Sequence, residues 1–352
     1  MSSRQPNIRP RPTALFTMTD LSTPIIQAPM AGGPSTPDLA AAVSNAGGLG
    51  FLAAGYRSAD QVAGDITAVR ARTTGLFGVN FFVPQRSVGV DNDLRTYADE
   101  LKGDAARYDT AVGEQRTDDG DWEGKLVVLE KMRPPVVSFT FGAPPAATTA
   151  KLQGAGIFVM VTVTIEDEAA TAIALGVDAL LVQGPEAGGH RGTFDPAVVP
   201  ETKPLDLLLI GIAAKTDLPL IAAGSISTSS DVRNVLRRGA VAAQAGTAFL
   251  LADEAGTKSA HRDALTSGQF GRTIITRAFS GRYARGLLND FIRHHDQSAP
   301  LGYPQVHHMT SPIRAAAAAA HDPQRLSLWA GTGYRLARAA LAATIVAHLG
   351  SV

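Results

Sequence analysis

The sequence predicts an α/β protein of the (β/α)8 barrel class, with a smaller α-rich lobe over the C-terminal face of the strands. Three observations carry this. Eight short apolar runs alternate with helical patterns between Ile25 and Ala245; that alternation builds a parallel sheet, and eight strands close a barrel. The runs are continuous, as in Ala179-Leu-Leu-Val182, which is how strands buried on both faces read. No Gly-x-Gly-x-x-Gly opens a first helix, which counts against an open dinucleotide-binding sheet.

Bulk properties narrow the function classes. A chain of 352 residues fits two domains or one barrel with insertions. Lys plus Arg and Asp plus Glu number 32 each, so charge points to no nucleic acid or acidic partner. Cysteine is absent, which removes disulfides, thiolate metal sites and a cysteine nucleophile, and fits a reducing compartment. Met1 to Pro12 is polar and rich in Pro and Arg. It lacks the apolar core of a signal peptide and reads as a disordered lead-in. The longest apolar window, Leu205 to Gly224, is interrupted by Asp206, Lys215, Asp217 and Pro219, so no membrane span is expected. The expectation is a soluble, cytoplasmic protein with a small-molecule substrate; a homodimer is left open.

The elements follow in order. Ile25 to Ala28 is the first strand, and Ala28-Pro29-Met30 its exit turn. Thr36 caps a helix with Pro37 in its first position, running to about Asn45. Leu49 to Leu52 is the second strand, Ser58 caps the next helix, and Phe77 to Phe82 is the third strand. The period then breaks. Residues 84–135 read as a long insertion, helical over Asp93 to Lys102 and loop-like at Thr117 to Asp121. Val136 to Phe139 is the fourth strand, Lys151 to Gly154 closes a short helix, and Ile157 to Val163 is the fifth. Glu166 to Leu175 is a helix stopped by Gly176. Val177 to Val182 is the sixth strand, Leu205 to Ala214 a helix, Leu220 to Ala223 the seventh strand, Ser230 to Arg238 a helix, and Ala242 to Ala245 the eighth strand. This gives a barrel over 1–250, a substrate-covering lobe over 251–310, and C-terminal helices over 311–352, among them the alanine run Ala315 to Ala320 and one helix from Tyr334 to Leu349.

The chemistry concentrates at strand exits. After the sixth strand comes Gln183-Gly-Pro-Glu-Ala-Gly-Gly-His190-Arg-Gly192, a glycine-rich loop at the end of a barrel where such folds place catalysis. Glycines let its backbone approach a ligand closely and take positive φ. Ala223-Gly224-Ser225 and Gln244-Ala245-Gly246-Thr247 follow strands seven and eight, the positions that cradle a phosphate on backbone N–H groups. Neither loop carries a lysine, which points to amide cradling of a monophosphate. The side-chain amides of Asn80 and Gln183 both donate and accept and suit the edges of a flavin-type ring, or else cap the strand ends. His190 has an ordinary pKa of about 6.5, near working pH. As a base it would take a proton; as an imidazolium it would hold an anion. Glu186 competes for the base role but is expected to orient the loop. His294-His295 and His307-His308 are adjacent pairs without the i, i+4 spacing of a helical zinc site, so no metal is expected and they read as exposed or lobe-packing residues. Arg277, Arg282, Tyr283 and Arg285 are candidate contacts for an anionic substrate, half of them ordinary surface charges.

Together, Ala28-Pro29-Met30, Gly78-Val-Asn80, the loop Gln183 to Gly192, Ala223-Gly224-Ser225 and Gln244-x-Gly-Thr247 resemble the nitronate monooxygenase family, the FMN-dependent enzymes formerly called 2-nitropropane dioxygenases. Thr276 to Gly286 and Trp329-Ala-Gly-Thr332 add to the likeness. The resemblance implies FMN as cofactor and oxidation of alkyl nitronates such as propionate 3-nitronate, and of nitroalkanes, with O2 through a flavin semiquinone to a carbonyl product and nitrite. The catalytic histidine would be His190. Flavin contacts would fall on Ala28, Pro29, Met30, Asn80, Gln183, Gly188, Gly189, Gly224, Ser225, Gln244, Ala245, Gly246 and Thr247. Thr140 stands where part of the family has histidine, and Thr332 where glutamine is common, which leaves the subclass open. Two alternatives remain. An FMN-dependent enoyl-ACP reductase would share the barrel and the Glu-Ala-Gly-Gly-His loop but use NAD(P)H. A non-catalytic flavin- or phosphate-binding barrel would have no use for His190.

Overall fold

Strand sides decide where the site lies. The computed structural model describes residues 18–352, so the expectation for Met1 to Pro12 lies outside the described residues. The chain opens with β1 (Ile25–Gln27), α1 (Pro37–Asn45), β2 (Gly50–Ala53), α2 (Ala59–Arg70) and β3 (Phe77–Phe82). Then come α3 (Asp91–Ala106), α4 (Trp122–Met132), β4 (Val136–Thr140), α5 (Ala146–Gly154), β5 (Phe158–Val163), α6 (Glu166–Ala174) and β6 (Ala179–Gln183). The two-residue β7 (Gly189–His190) precedes α7 (Leu205–Ala213), β8 (Leu220–Ala223), α8 (Ser229–Arg237) and β9 (Ala242–Ala245). The remainder holds α9 (Ser259–Thr266), β10 (Thr273–Thr276), β11 (Ala284–Leu287), α10 (Asp290–His295), α11 (Gln305–Ala319) and α12 (Ala342–Leu349).

Eight parallel strands lie side by side in the order β1-β9-β8-β6-β5-β4-β3-β2. A parallel bridge between Ile26 and Leu49 joins the two ends, so the sheet closes into a (β/α)8 barrel. Strand residues alternate between two cores, as a period of two requires. Val79, Phe81, Val137, Phe139, Val159, Val161, Val182 and Ala243 pack outward under the helices. Ile26, Phe51, Val136, Met160, Leu181, Ile221 and Ala242 fill the barrel. At the C-terminal ends the inward positions turn polar: Asn80, Ser138, Thr140, Thr162, Gln183 and Gln244. The register sets them nearly level, with Asn80 beside Ser138, Thr162 beside Leu181, and Gln183 and Gln244 either side of Ala223.

The caps read from the sequence form. Thr36 Oγ1 accepts the Leu39 N–H at 3.0 Å with Pro37 in the first turn. Ser58 and Gln61 make a reciprocal capping box. Gly176, at φ +78°, ends α6.

Two expectations are corrected. Within the insertion, the valine-containing run after Trp122 forms the helix α4, whose Leu129 packs on the barrel. Here α4 takes the usual helix position, while α3 turns away and packs Leu94, Tyr97 and Leu101 against Phe279, Phe291 and Met309. The α-rich lobe also carries a three-stranded antiparallel sheet of β10, β11 and β7. Finally, Tyr334 to Leu349 is not one helix. Tyr334–Leu336 is a single 3-10 turn, and the chain stays out of helix until α12. The Tyr334 hydroxyl binds Phe270 O, Ala340 O accepts the Asp253 N–H at 3.0 Å, and Glu254 Oε2 caps α12 at Ala342 N, 2.8 Å away. These tertiary hydrogen bonds override the local helical pattern.

Candidate active site

A cavity of about 470 Å³ sits on the polar ring at the barrel mouth, within the range of small-molecule and cofactor sites. Nearly all of the predicted residues line it. Ala28, Pro29 and Met30 come from the β1 exit, Asn80 from β3, and Gln183, Gly188, Gly189 and His190 from β6 and its loop. Gly224 and Ser225 follow β8; Gln244, Gly246 and Thr247 come from β9 and its exit. Ala245 is the exception. Its neighbour Gln244 points inward, so alternation sends Ala245 into the helix layer, and its carbonyl instead holds the Ala28 N–H at 2.8 Å.

The side-chain amides divide the work differently from expectation. Gln183 closes the loop on itself: Nε2 donates to His190 O (3.0 Å), and Oε1 accepts from Gly192 N (2.9 Å) and Arg191 Nη1 (3.1 Å). Asn80 Nδ2 is shared between Ser138 Oγ (2.9 Å) and Thr140 Oγ1 (3.0 Å). Gln244 is different. Its Oε1 is buried without a hydrogen-bond partner on the cavity wall, and an unmet buried acceptor calls for a donor from a ligand.

Two glycines shape the loop. A Cβ on Gly188 would lie 2.5 Å from Gly331 N and 2.6 Å from Ala330 C, so only glycine allows these backbones to meet. Gly189 has φ +76°, which disfavours any L side chain. The segment after Trp329 therefore joins the two predicted phosphate loops. Gly331 N donates to Thr247 Oγ1 (2.9 Å), Thr332 N to Glu186 O (3.1 Å), and Thr332 Oγ1 to Ser225 Oγ (3.0 Å). Gly331 and Gly333 line the same end of the cavity wall as these loops. Glu186 does not line the cavity; its carboxylate folds back over Gly184.

His190 closes the other side. Phe141, Tyr303 and Trp329 ring it, with centroids 5.9, 5.9 and 5.5 Å away. Burial, reinforced by Arg282 and Arg314, pushes its pKa down to about 3, so the imidazole is neutral. Nε2 lies 2.9 Å from Ser280 Oγ, which also lies 3.2 Å from Arg282 O. A carbonyl only accepts, and a hydroxyl has one proton. Both contacts are satisfied together when Ser280 donates to Arg282 O and accepts from Nε2–H. That leaves Nδ1 as the basic nitrogen.

The basic candidates from Arg277 to Arg285 do not line the cavity. Arg282 is buried over the Phe141 ring, 3.8 Å from its centroid, and binds Gln85 and Thr193. Arg285 binds Pro185 O at 2.8 Å, and Arg277 stacks on Tyr283. The cation on the inner wall is Arg314, from α11. His307, expected among exposed or lobe-packing residues, also lines the cavity and stacks on Tyr56 at 4.4 Å and 11°. Ser280, Trp329, His307 and Arg314 lie far from the barrel loops in sequence; the histidine pair and the segments Thr276 to Gly286 and Trp329 to Thr332 stood out there, but no role was read for Ser280, Trp329 or Arg314. Among the described residues no group of His, Cys, Asp or Glu is arranged to hold a metal ion, and no helix is long and apolar enough to cross a membrane.

Comparison with known proteins agrees with this geometry. The nitronate monooxygenase family model matches residues 16–351. A nitronate monooxygenase of Pseudomonas aeruginosa is 39% identical over 347 residues, covering 96% of this chain and 98% of its own. The solved structure of a nitroalkane oxidase from Streptomyces ansochromogenes superposes with TM-score 0.90 at 46% identity, over 94% of this chain and 96% of that one. FabK from Thermotoga maritima is more distant, with TM-score 0.73 and 25% identity over 94% of this chain and 93% of that one. With a family match over nearly its whole length and a relative at 39% identity covering 96% of it, the chain belongs to the nitronate monooxygenase family of oxidoreductases.

Proposed function

We propose that this protein is an FMN-dependent enzyme that oxidises alkyl nitronates with O2 to a carbonyl product and nitrite. The observation that carries this is a neutral, aromatic-ringed His190 facing the cavity that the glycine-rich exits of β8 and β9 also line. FMN fits the residues present. The unmet Gln244 Oε1 suits a ring N–H, and Gly224 (φ +137°) with Gly246 keeps side chains out of the phosphate end.

When bound, FMN supplies the electron-accepting ring and the route to O2. The chain's own residues do the rest. Gln183 and Arg191 hold the loop so that His190 stays at the wall. Ser280 fixes the Nε2–H tautomer, so Nδ1 is the lone pair that meets the α-proton of a neutral nitroalkane, as a weaker base than an ordinary histidine because burial lowers its pKa. Phe141, Tyr303 and Trp329 exclude water around that proton transfer.

The test is anaerobic mixing of the flavin-loaded protein with an alkyl nitronate and, separately, with NADPH. Loss of the oxidised flavin spectrum with nitronate, followed by nitrite release on admitting O2, is expected. Rapid bleaching by NADPH with no response to nitronate would overturn the proposal in favour of an enoyl-ACP reductase.

A further inference from the structure

Arg314 is the cavity-lining cation whose charge nothing nearby balances. It stands on α11 and lines the same cavity as His190. Its hydrogen bonds go to neutral acceptors only: Nε to Thr310 Oγ1 (3.2 Å), and Nη2 to His307 O (2.9 Å) and His307 Nδ1 (3.3 Å). Nη1 has no protein acceptor among the described residues, and no carboxylate there forms an ion pair with Arg314. Burial lowers its pKa, and Tyr56 is the group that opposes this. The other arginines around the site differ. Arg191 and Arg282 both feel Glu168, and Arg285 feels Glu186. Lys258, also on the cavity wall, is exposed to water.

A half-buried charge without a counter-ion is partly desolvated at a cost, and a ligand anion lowers that cost. Guanidinium N–H groups match two oxygens of a planar anion. Arg314 shares the cavity wall with His190, and its charge helps to hold that imidazole neutral. His190 is neutral, so it does not itself supply positive charge for an anion. His307 is tied to Arg314 through Nδ1, leaving its proton on Nε2, and it too is held neutral by burial and by Arg314.

We propose that Arg314 is the anion anchor of the site: it binds the two nitronate oxygens and makes the enzyme select the nitronate anion over the neutral nitroalkane. This rests on the function proposed above. A carboxylate on the substrate tail is chemically similar, and the test separates the two sources.

The experiment compares wild type, Arg314→Met and Arg314→Lys as flavin-loaded proteins. Calorimetry measures binding of nitrate, a planar oxyanion without an alkyl tail, and of propionate. Steady-state kinetics uses ethyl nitronate and nitroethane. Arg314→Met is expected to weaken nitrate binding and raise the KM for ethyl nitronate at least about tenfold, the size of one lost charge-assisted hydrogen bond. The KM for nitroethane should stay within about twofold, because a neutral substrate gains little from the charge. Arg314→Lys should recover part of the loss. The thermal midpoint of Arg314→Met should be unchanged or higher, since a half-buried unpaired charge is gone. A folded Arg314→Met that binds nitrate and ethyl nitronate like wild type would overturn the proposal. So would loss confined to propionate, or a lowered thermal midpoint with unchanged nitrate affinity. If wild type turns over no nitronate yet binds nitrate through Arg314, the anchor stands and the assigned reaction fails.

Discussion

Ser280 Oγ lies 2.9 Å from His190 Nε2, joining residues 90 positions apart in the chain. That bond assigns the proton to Nε2 and the basic lone pair to Nδ1. Ser280→Ala should therefore lower kcat/KM for a neutral nitroalkane about tenfold, the effect of one hydrogen bond of about 1.4 kcal/mol. With a preformed nitronate no proton need be removed, so the change should be small. His190→Asn should lose about a hundredfold or more with the nitroalkane while retaining flavin. Oxygen-uptake kinetics with both substrates checks the split; equal losses on both would contradict the tautomer assignment.

Acid should destabilise the fold earlier than carboxylate protonation alone would. Burial pushes His190 down to about 3, His261 to about 4 and His307 to about 2. All three lie below the unfolded value of about 6.5, so the unfolded chain binds more protons below that pH. The stabilisation is complete above about pH 6.5 and is lost as pH falls toward the folded values, at up to about 1.4 kcal/mol per pH unit for each histidine. Thermal midpoints between pH 8 and pH 4.5 should show the decline, and His261→Gln should flatten it. A midpoint unchanged from pH 8 to pH 5 would refute the assignment.

Gly188 and Gly189 should fail for different reasons. Gly188→Ala forces a methyl onto Gly331 N and Ala330 C, at 2.5 and 2.6 Å, and should cost about 1–3 kcal/mol by overpacking. It also pushes on the segment that carries Trp329 against His190, so activity should fall. Gly189→Ala meets no atom within 4 Å but holds φ +76°, a penalty of about 1 kcal/mol. Chemical denaturation of both variants tests the order; a larger loss at Gly189 would reverse it.

Gln244→Leu should weaken FMN binding about fivefold, the loss of one net hydrogen bond of about 1 kcal/mol. The flavin-free protein should be no less stable, because a buried acceptor without a partner disappears. Fluorescence titration with FMN and thermal melts of the apoprotein separate these effects. A destabilised apoprotein with unchanged FMN affinity would mean Gln244 serves the barrel and not the ligand.

How much was legible depended on whether a residue's signal was local. The eight strands read directly, because continuous runs such as Ala179 to Val182 and capped helices such as that after Thr36 are local features. His190 and the loops after strands seven and eight read through glycine spacing. Ala245 was misplaced because a motif names consecutive residues while a strand sends them to opposite sides. Gln183 was read as facing a ring or capping its strand end, and its bonds go to the backbone of its own loop, as the second reading has it. Ser280 and Trp329 lay in segments marked only by the resemblance, without a role, and Arg314 carried no signal, because the lobe delivers all three from distant segments. The single helix expected at Tyr334 to Leu349 yielded to hydrogen bonds with Phe270, Asp253 and Glu254, which no local pattern reports.

The strand β7 has a consequence for motion. His190 and Gly189 pair with Ala284 and Arg285 in the lobe's sheet, and the Arg191 N–H donates to Tyr283 O at 2.8 Å. The histidine is thus carried on a ladder shared by barrel and lobe, not on a free loop. Lifting the lobe breaks the backbone bonds that hold His190 in place, so opening and disabling the site are one event. Amide exchange at Arg191 should therefore track that of Ala284 to Leu287 as a single cooperative unit, and a ligand that closes the cavity should slow both together.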